Sequence, residues 1–311
     1  MKPLPRRRPG LGAVEVIVIA AVLAVVVLVI AWALPRGREN ARLLACRRNL
    51  RQVGEALSLY DTAVGRLPAV PELGPTAGPG PLAALRAQLG LEDFTGLGAP
   101  DRTPAPRPGV SSAAHPVPGF ACPSDPLATS GLFPAPTSYR AVAGDATDGR
   151  TGPFAPGRVV APAAVEAADG TAYTAAFEER LVGDGHSARP GPRDYALVPG
   201  PVDSHGCPAP PGPSWRGDAG SSWLDASWRS TLANHALTPG AAPSCLADDG
   251  RTARIGASSG HVGGVHVLML DGRVQQVVPT IDPKVWKALA NINDQAEAPA
   301  PPLPTGRVAR P

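Results

Sequence analysis

A single carboxylate beside a long apolar run constrains this chain more than any other feature. Residues 16–34, VIVIAAVLAVVVLVIAWAL, are nineteen consecutive apolar residues, and Glu15 immediately precedes them. That length is enough for a helix that crosses a membrane. A plain membrane anchor has no need of a carboxylate at its end. An ionisable group in such a segment is therefore a functional hypothesis, and a partner must be named for it.

A short basic segment, MKPLPRRRPG, precedes the apolar run and ends at Gly10. Cleavage after Gly10 would make Glu15 the fifth residue of the mature protein. A basic leader, a glycine before the cut, an apolar helix and a glutamate at mature position five together resemble type IV prepilins and pseudopilins. The resemblance implies that a prepilin peptidase on the cytoplasmic side cleaves between Gly10 and Leu11.

The resemblance also gives Glu15 a partner. In the family this carboxylate pairs with the N-terminal amine of a neighbouring subunit, here that of Leu11, and the pairing sets the axial register of the subunits. Family members usually begin with Phe and Thr, whereas this mature chain would begin with Leu11 and Gly12. The sequence leaves methylation of the new amine open.

Two other interpretations of the apolar run compete with this one. A secretory signal peptide would have a shorter apolar core and an A-x-A-like site, which does not precede Pro35. An ordinary signal anchor with an incidental glutamate stays an alternative. Basic residues flank both ends of the run, so charge does not fix its orientation. The resemblance and the cysteines favour a single-pass inner-membrane protein with a cytoplasmic N-terminus and an extracytoplasmic C-terminal domain. The sequence leaves open whether the protein is assembled into a pilus or pseudopilus.

The helix is expected to continue, with a kink at Pro35, as an amphipathic helix over residues 35–65. Apolar residues then recur at alternating spacings of three and four, which indicates one buried helical face. Gly65 supplies the stop. The apolar positions of this face are Leu43, Cys46, Leu50, Val53, Leu57, Tyr60 and Val64.

Composition divides the rest of the 311-residue chain and argues against nucleic-acid binding. The chain has 39 prolines and 35 glycines, and its net charge is only +3 without a dense basic patch. Two segments of low-complexity sequence, residues 66–118 and 186–222, are predicted to be mainly loop. We predict a leader (1–10), a transmembrane helix (11–34), its amphipathic continuation (35–65), a Pro/Gly-rich variable segment with a short helix at 82–91 (66–118), a β-rich domain (119–297) and a disordered tail (298–311).

Five segments downstream of the span resemble one large prepilin-like subfamily. The helix segment from Cys46 to Asp61 is similar to its C-x-N-N-L-K-Q-x-G-x-A-L-x-x-Y motif. It is followed by CPSD, a Ser-Tyr strand, and DGTAYTAAFEE in place of D-G-T-S-N-T-x-x-x-G-E. Finally, nine residues separate His261 from Asp271-Gly272, which is the H-x9-DG signature of that subfamily. The order of these segments indicates the family, and it does not indicate a biochemical activity.

The signature block is predicted to be a β-hairpin. Val265, Val267 and Met269 should face one side of the sheet, and the alternate residues the other. Asp271-Gly272 favours a two-residue type I′ turn. Gly263 and Gly264 indicate a tight, non-β entry to the first strand.

Catalytic and metal-binding interpretations of this block have little support from the sequence. Gly256–Gly260 matches G-x-S-x-G, but a nucleophile elbow needs a following helix, whereas a glycine-rich turn and a strand follow here. His261 and His266, five residues apart on a strand, are expected to face opposite sides. The other histidines lack ligand spacing. We therefore predict no metal, no cofactor and a structural role for His261, with a hydrolase using His261 or Asp271 as the remotest alternative.

Four cysteines, an even number, fit an oxidising compartment and allow three pairings. The resemblance favours one of them, because two cysteines belong to the subfamily motifs and two do not. It implies bonds between Cys46 and Cys122 and between Cys207 and Cys245. The first bond would tie the long helix to the sheet domain.

The sequence thus predicts an α+β protein, with a long kinked N-terminal transmembrane helix packed on an antiparallel sheet that carries Pro/Gly-rich insertions. The function that it favours is that of a non-enzymatic pilin-like or pseudopilin-like subunit of a type II secretion or type IV pilus-like apparatus. Its expected partners are the prepilin peptidase, other pilin-like subunits, the assembly machinery and the membrane. The alternative is a single-pass envelope protein whose outer domain binds a ligand and does not polymerise.

Overall fold

The computed structural model describes residues 12–74, 78–91, 115–186, 191–203, 206–207 and 214–292. The leader, the cleavage-site residues Gly10 and Leu11, and the tail at 298–311 lie outside this part of the chain. The chain divides into two compact units, residues 1–44 and residues 45–311.

The first helix, α1, spans Ala13–Val64 and continues through Pro35 without interruption. Its most apolar 18-residue window has a mean hydropathy of 3.3, and none of that window is buried within the protein. By length and composition, this part of α1 could cross a membrane. The apolar residues before Pro35 are consistent with the span predicted from the sequence.

Residues 45–64 of α1, called its outer half below, belong to the second unit and bury most of the predicted face. Cys46, Leu50, Val53, Leu57 and Tyr60 are buried on it. Val64, the last residue predicted for this face, is exposed instead, because the helix ends there. The helix ends where Gly65 takes a φ of +73°, and the amide of Gly65 donates to the Asp61 carbonyl oxygen at 2.6 Å. A glycine at this position ends a helix without the steric cost that a Cβ would have there.

The larger sheet has five strands in the order β5-β1-β2-β8-β9, and only the β1–β5 pair is parallel. This antiparallel-rich sheet and the long helix confirm the predicted α+β class. The strands are β1 (Tyr139–Val142), β2 (Ala175–Glu179), β5 (Leu232–Ala233), β8 (Val265–Met269) and β9 (Val274–Val277).

A smaller sheet has four strands in the order β4-β3-β6-β7. Two of them lie in residues 186–222, where the sequence predicted only loop. These strands are two and four residues long, and β3 pairs in parallel with β6, almost fifty residues later. Such short strands have no periodicity of their own, so only tertiary pairing defines them. The strands are β3 (Tyr195–Val198), β4 (Trp215–Arg216), β6 (Cys245–Ala247) and β7 (Ala253–Arg254).

Residues 66–74, 78–91 and 115–118, the described part of the Pro/Gly-rich segment, are also more ordered than the sequence indicated. Leu67, Val70, Leu82 and Leu85 are buried in the main core. The predicted helix at 82–91 is only the short α2 (Pro81–Ala84), and hydrogen-bonded turns follow it to Gly90. The described part of this segment is therefore a component of the folded unit rather than a linker.

The five-stranded sheet has a hydrophobic core on each face. On one face the outer half of α1 packs with Phe177 and Leu268, both buried. On the other face Val265, Val267 and Met269 pack with Trp286 of α4 (Pro283–Ala288). A further helix, α3 (Pro162–Ala168), leads towards β2. The alternation predicted for β8 is thus confirmed.

Candidate functional site

Two consecutive glutamates at the end of β2 lie at the centre of the five-stranded sheet. Glu178 and Glu179 are at most 1% exposed. Successive strand residues point to opposite faces of a sheet, so each carboxylate lies in a different core. A buried carboxylate is costly unless it is paired and hydrogen-bonded, so the partners of each glutamate identify the polar centres of the fold.

Glu179 is held by both histidines of the signature block. Its Oε2 accepts from the His266 backbone amide at 2.9 Å, and its Oε1 lies 3.2 Å from His266 Nδ1. Oε1 also lies 3.5 Å from Nε2 of His261. The same Nε2 is 3.4 Å from the Cys122 sulfur. His261 therefore joins the carboxylate of β2 to a cysteine of the CPSD segment.

The prediction that His261 and His266 face opposite sides was wrong. Their rings meet edge to face with centroids 5.1 Å apart. The reason is that β8 begins only at Val265. Gly263 and Gly264, with φ of +100° and +134°, turn the chain before the strand and return His261 to the face that carries His266.

The two disulfides have the pairing that the resemblance implied. Cys46 of α1 bonds to Cys122, with Cα atoms 4.9 Å apart, and Cys207 bonds to Cys245, with Cα atoms 5.7 Å apart. The first bond lies within the second compact unit and ties the outer half of α1 to the segment before β1. The second anchors the residue 206–207 segment to β6.

Further hydrogen bonds hold the backbone of the first disulfide. The Cys122 amide donates to Ser138 Oγ at 3.1 Å, and the Tyr139 hydroxyl donates to the Cys46 carbonyl oxygen at 3.2 Å. Four of the five downstream segments that carry the resemblance thus contribute a side chain to one buried cluster, and the fifth, the Ser-Tyr strand, hydrogen-bonds the backbone of its cysteines. We define the Cys46/Cys122/Glu179/His261 cluster by these four side chains.

Asp271 and Gly272 lie at the tip of the β8–β9 hairpin and do not contact this cluster. The Gly272 amide donates to the Met269 carbonyl oxygen at 3.0 Å, and Gly272 has a φ of +86°. No described residue other than glycine has positive φ. The predicted type I′ turn, which needs positive φ at both central residues, is therefore wrong. The loop is a type I turn over Leu270 and Asp271 followed by glycine in a bulge.

The Asp271 side chain stabilises that turn locally. Its Oδ1 accepts from the Arg273 amide at 3.0 Å, and its Oδ2 accepts from Arg273 Nε at 2.5 Å. The nine-residue spacing of H-x9-DG therefore corresponds to the glycine turn before β8, the strand itself and the start of the hairpin turn. It does not bring His261 and Asp271 to a common point.

The second carboxylate, Glu178, has a partner that the sequence reasoning missed. Its Oε2 lies 2.9 Å from His235 Nε2, and His235 Nδ1 lies 2.6 Å from the Trp286 carbonyl oxygen. Both ring nitrogens thus face oxygens that accept, and the ring stacks on Trp286 at 3.5 Å. His235 stands alone in loop-like sequence, so no spacing signal could have identified it.

Two arginines are also buried near Glu178. Burial lowers the pKa of Arg140 well below its usual value, and the neighbouring Arg180 adds to that effect. Burial likewise lowers the pKa of Arg180 to about 10. Backbone carbonyl groups accept from both: that of Trp228 from Arg140 at 2.8 Å, and that of Asp194 from Arg180 at 3.0 Å. These contacts connect the sheet to surrounding loops and present no charge to a cleft.

Ser258, the serine of the G-x-S-x-G match, makes hydrogen bonds that stabilise the fold. Ser258 Oγ donates to the Pro192 carbonyl oxygen at 2.9 Å and accepts from the Leu181 amide at 3.1 Å. The space beside Ser258 and Cys122 has a volume of only about 10 Å³, about enough for one water molecule. This geometry does not resemble a nucleophile poised in a substrate cleft.

The Glu179 contacts predict a pH dependence of stability. Burial alone would raise the pKa of Glu179, but hydrogen bonds from His261 and His266 outweigh it and lower the pKa to about 2. A depressed carboxylate pKa stabilises the fold above the unfolded pKa, about 4.3, and that contribution is lost as the pH falls towards 2. We expect a loss of about 2 kcal/mol between pH 5 and pH 2.5. Denaturant unfolding between pH 5 and pH 2.5 should show it, and Glu179→Gln should lack this component. Parallel curves for the two proteins would contradict the assignment.

A protein-family model with the description "Protein of unknown function (DUF1559)", SBP_bac_10, matches residues 35–284. No curated protein and no solved structure matches the chain. The matched region contains both disulfides, Glu179, His261 and the hairpin. It begins after the apolar run, so the leader, the cleavage site and Glu15 are outside it.

Proposed function

We propose that this chain, which belongs to the DUF1559 family, is a pilin-like structural subunit that is anchored in a membrane by α1. One observation carries the proposal. A single helix contains an apolar span with Glu15 in its first turn, and its outer half is built into the core of the folded domain. A subunit that assembles through its helices needs both features, a span that packs in lipid and a domain attached to it.

The position of Glu15 supports a role at the helix terminus. The Gly12 amide donates to Glu15 Oε2 at 2.9 Å, so the carboxylate folds back over the start of α1. Cleavage after Gly10 would make Gly12 the second residue of the mature chain. The carboxylate would then lie one residue from the new amine, where it can pair with the amine of its own chain or of a neighbouring subunit.

The disulfides support an extracytoplasmic position for the domain. Disulfides form and persist in oxidising compartments and are rare in the cytosol. Two bonds within the domain, with all four cysteines paired, therefore favour placing the C-terminal side of the span outside the cytoplasm. In this topology the basic leader stays in the cytoplasm, where a prepilin peptidase removes it.

The proposed role is structural rather than enzymatic because the buried polar groups stabilise the fold. The Ser258 hydroxyl both donates and accepts a structural hydrogen bond, and Asp271 pairs with Arg273 at a turn. Each buried glutamate contacts histidine: Glu178 contacts His235, and Glu179 contacts His266. The proposed partners are other pilin-like subunits and the machinery of a type II secretion or type IV pilus-like apparatus.

The mature N-terminus tests the proposal. Mass spectrometry of protein isolated from its native membrane is expected to find a chain that begins at Leu11. Gly10→Ala should slow this processing strongly, whereas Pro9→Ala, a matched change one residue away, should slow it much less. A mature protein that begins at Met1 would support the alternative of a single-pass envelope protein that does not polymerise. A chain cut near Pro35 would contradict any role for α1 as an anchor.

A further inference from the structure

The Cys46/Cys122/Glu179/His261 cluster contains the donor atoms of a metal site. One ligand atom from each of the four side chains, two sulfurs, an imidazole nitrogen and a carboxylate oxygen, lies within 4.8 Å of the other three. All four residues are buried. They come from α1, the segment before β1, the end of β2 and the turn before β8. This convergence is a property of the fold and is not visible in the spacing of the sequence.

We propose that the Cys46–Cys122 disulfide conceals a zinc site, and that the reduced protein binds one Zn²⁺ through Cys46, Cys122, His261 and Glu179. Two thiolates, an imidazole and a carboxylate form a donor set typical of tetrahedral zinc. Ligand atoms about 2.0–2.3 Å from a tetrahedral ion are about 3.3–3.8 Å apart. The observed group is compact enough to converge on such an ion once the sulfur–sulfur bond is broken.

The charge of the reduced cluster is compatible with a bound divalent ion such as Zn²⁺. In the disulfide form the cluster carries the single negative charge of Glu179. Two thiolates and one Zn²⁺ together are neutral, so exchange of the disulfide for a zinc dithiolate leaves this buried charge unchanged. Without a metal, the two sulfurs would stay protonated as thiols, because two buried thiolates beside Glu179 would bring three negative charges together in a low-dielectric core.

The surroundings already hold the ligands in place. The His266 amide and His266 Nδ1 contact both oxygens of Glu179 at 2.9 and 3.2 Å. Ser138 and Tyr139 hold the backbone of the two cysteines. Outer contacts of this kind orient metal ligands and commonly change metal affinity by 10- to 100-fold.

The exchange is chemically balanced. A phosphine reductant and water convert the disulfide to two thiols and phosphine oxide. Zn²⁺ then binds both sulfurs and displaces their two protons to solvent. Reoxidation by a disulfide-containing oxidant removes two electrons from the sulfurs, re-forms the Cys46–Cys122 bond and releases the ion. The proposal is independent of filament assembly, because it concerns only the folded domain.

The test uses the full-length protein in detergent, in a Cys207→Ser/Cys245→Ser background that leaves one cysteine pair. After phosphine reduction and removal of the reductant, titration should show about one Zn²⁺ per chain, and the oxidised protein should bind none. Co²⁺ should give thiolate charge-transfer bands and the visible bands of a tetrahedral site. His261→Gln and Cys122→Ser should abolish stoichiometric binding, and His266→Ala should weaken it 10- to 100-fold.

Several outcomes would overturn the proposal. Among them are the absence of metal on the reduced protein, retention of full affinity in both His261→Gln and Cys122→Ser, and octahedral Co²⁺ without thiolate bands. If reduction unfolds the domain, Zn²⁺ should restore its circular dichroism, and failure to do so would also overturn it. The Cys46→Ser/Cys122→Ser variant reports any metal held by other side chains, and equal binding by that variant would place the metal elsewhere.

Discussion

Replacement of Glu15 by Gln is expected to leave membrane insertion intact and to abolish incorporation of the protein into filaments. Gln keeps an oxygen that can accept from the Gly12 amide, the contact that Glu15 makes at 2.9 Å. It removes the charge that would pair with the N-terminal amine of a neighbouring subunit. A carboxylate in the membrane costs up to roughly 3 kcal/mol on translocon scales, so its loss should ease insertion. Sheared filaments and membrane fractions, probed with the same antibody, measure the two steps separately.

Glu15→Ala is the matched variant because it removes both the charge and the hydrogen bond. Equal loss of assembly in both variants would assign the effect to the charge. Normal assembly of Glu15→Gln with failure of Glu15→Ala would show that the side chain caps the helix and that no ion pair is needed. If both variants assemble like the unchanged protein, the carboxylate has no part in assembly.

Gly264→Ala is expected to destabilise the folded domain by about 4 kcal/mol or more, which is in the exceptional range for single substitutions. Gly264 has a φ of +134°, a conformation that residues with a side chain rarely adopt. An added Cβ would also lie 2.0 Å from the Val277 carbonyl oxygen. That oxygen is backbone of β9, the strand paired with β8, so relief of the clash must separate the two strands. Denaturant unfolding of the purified protein measures the loss.

Gly272→Ala provides the control for this prediction. Gly272 also has positive φ, +86°, but nothing lies within 4 Å of the position that its Cβ would take. Only the backbone strain remains, about 1–2 kcal/mol. A similar loss in both variants would mean that the strand entry yields easily and that the close approach of Gly264 to Val277 is unimportant.

The sequence predicted the helical and hairpin parts of the fold because their signals are local. The 3-4 spacing of apolar residues identified the buried face of α1, and Gly65 marked its end. Alternation identified the two faces of β8. The turn type was wrong for a local reason: Asp-Gly suits a type I′ turn and also the last two positions of a type I turn with a bulge, and the register of the flanking strands selects between them.

The candidate site was only partly accessible from the sequence. Its members His261, Cys46 and Cys122 were recognised through family motifs, and Glu179 stood at the end of another such motif. Their convergence on one point was not predicted, because the sequence placed His261 on the same strand as His266. Glu178 and His235 were missed as a pair, since the residues are fifty-seven positions apart and no periodicity links them.

The sequence by itself determined that α1 is apolar over a membrane-spanning length, that Glu15 stands in its first turn, and which cysteines belong to the motifs. These properties depend on the order of residues along one helix or one strand, where geometry follows from spacing. Tertiary structure alone decided that the glycine turn at Gly263 and Gly264 brings His261 back to Glu179 and the Cys46–Cys122 bond. Packing between segments far apart in the chain fixes such contacts, because burial forces each enclosed charge to find a partner.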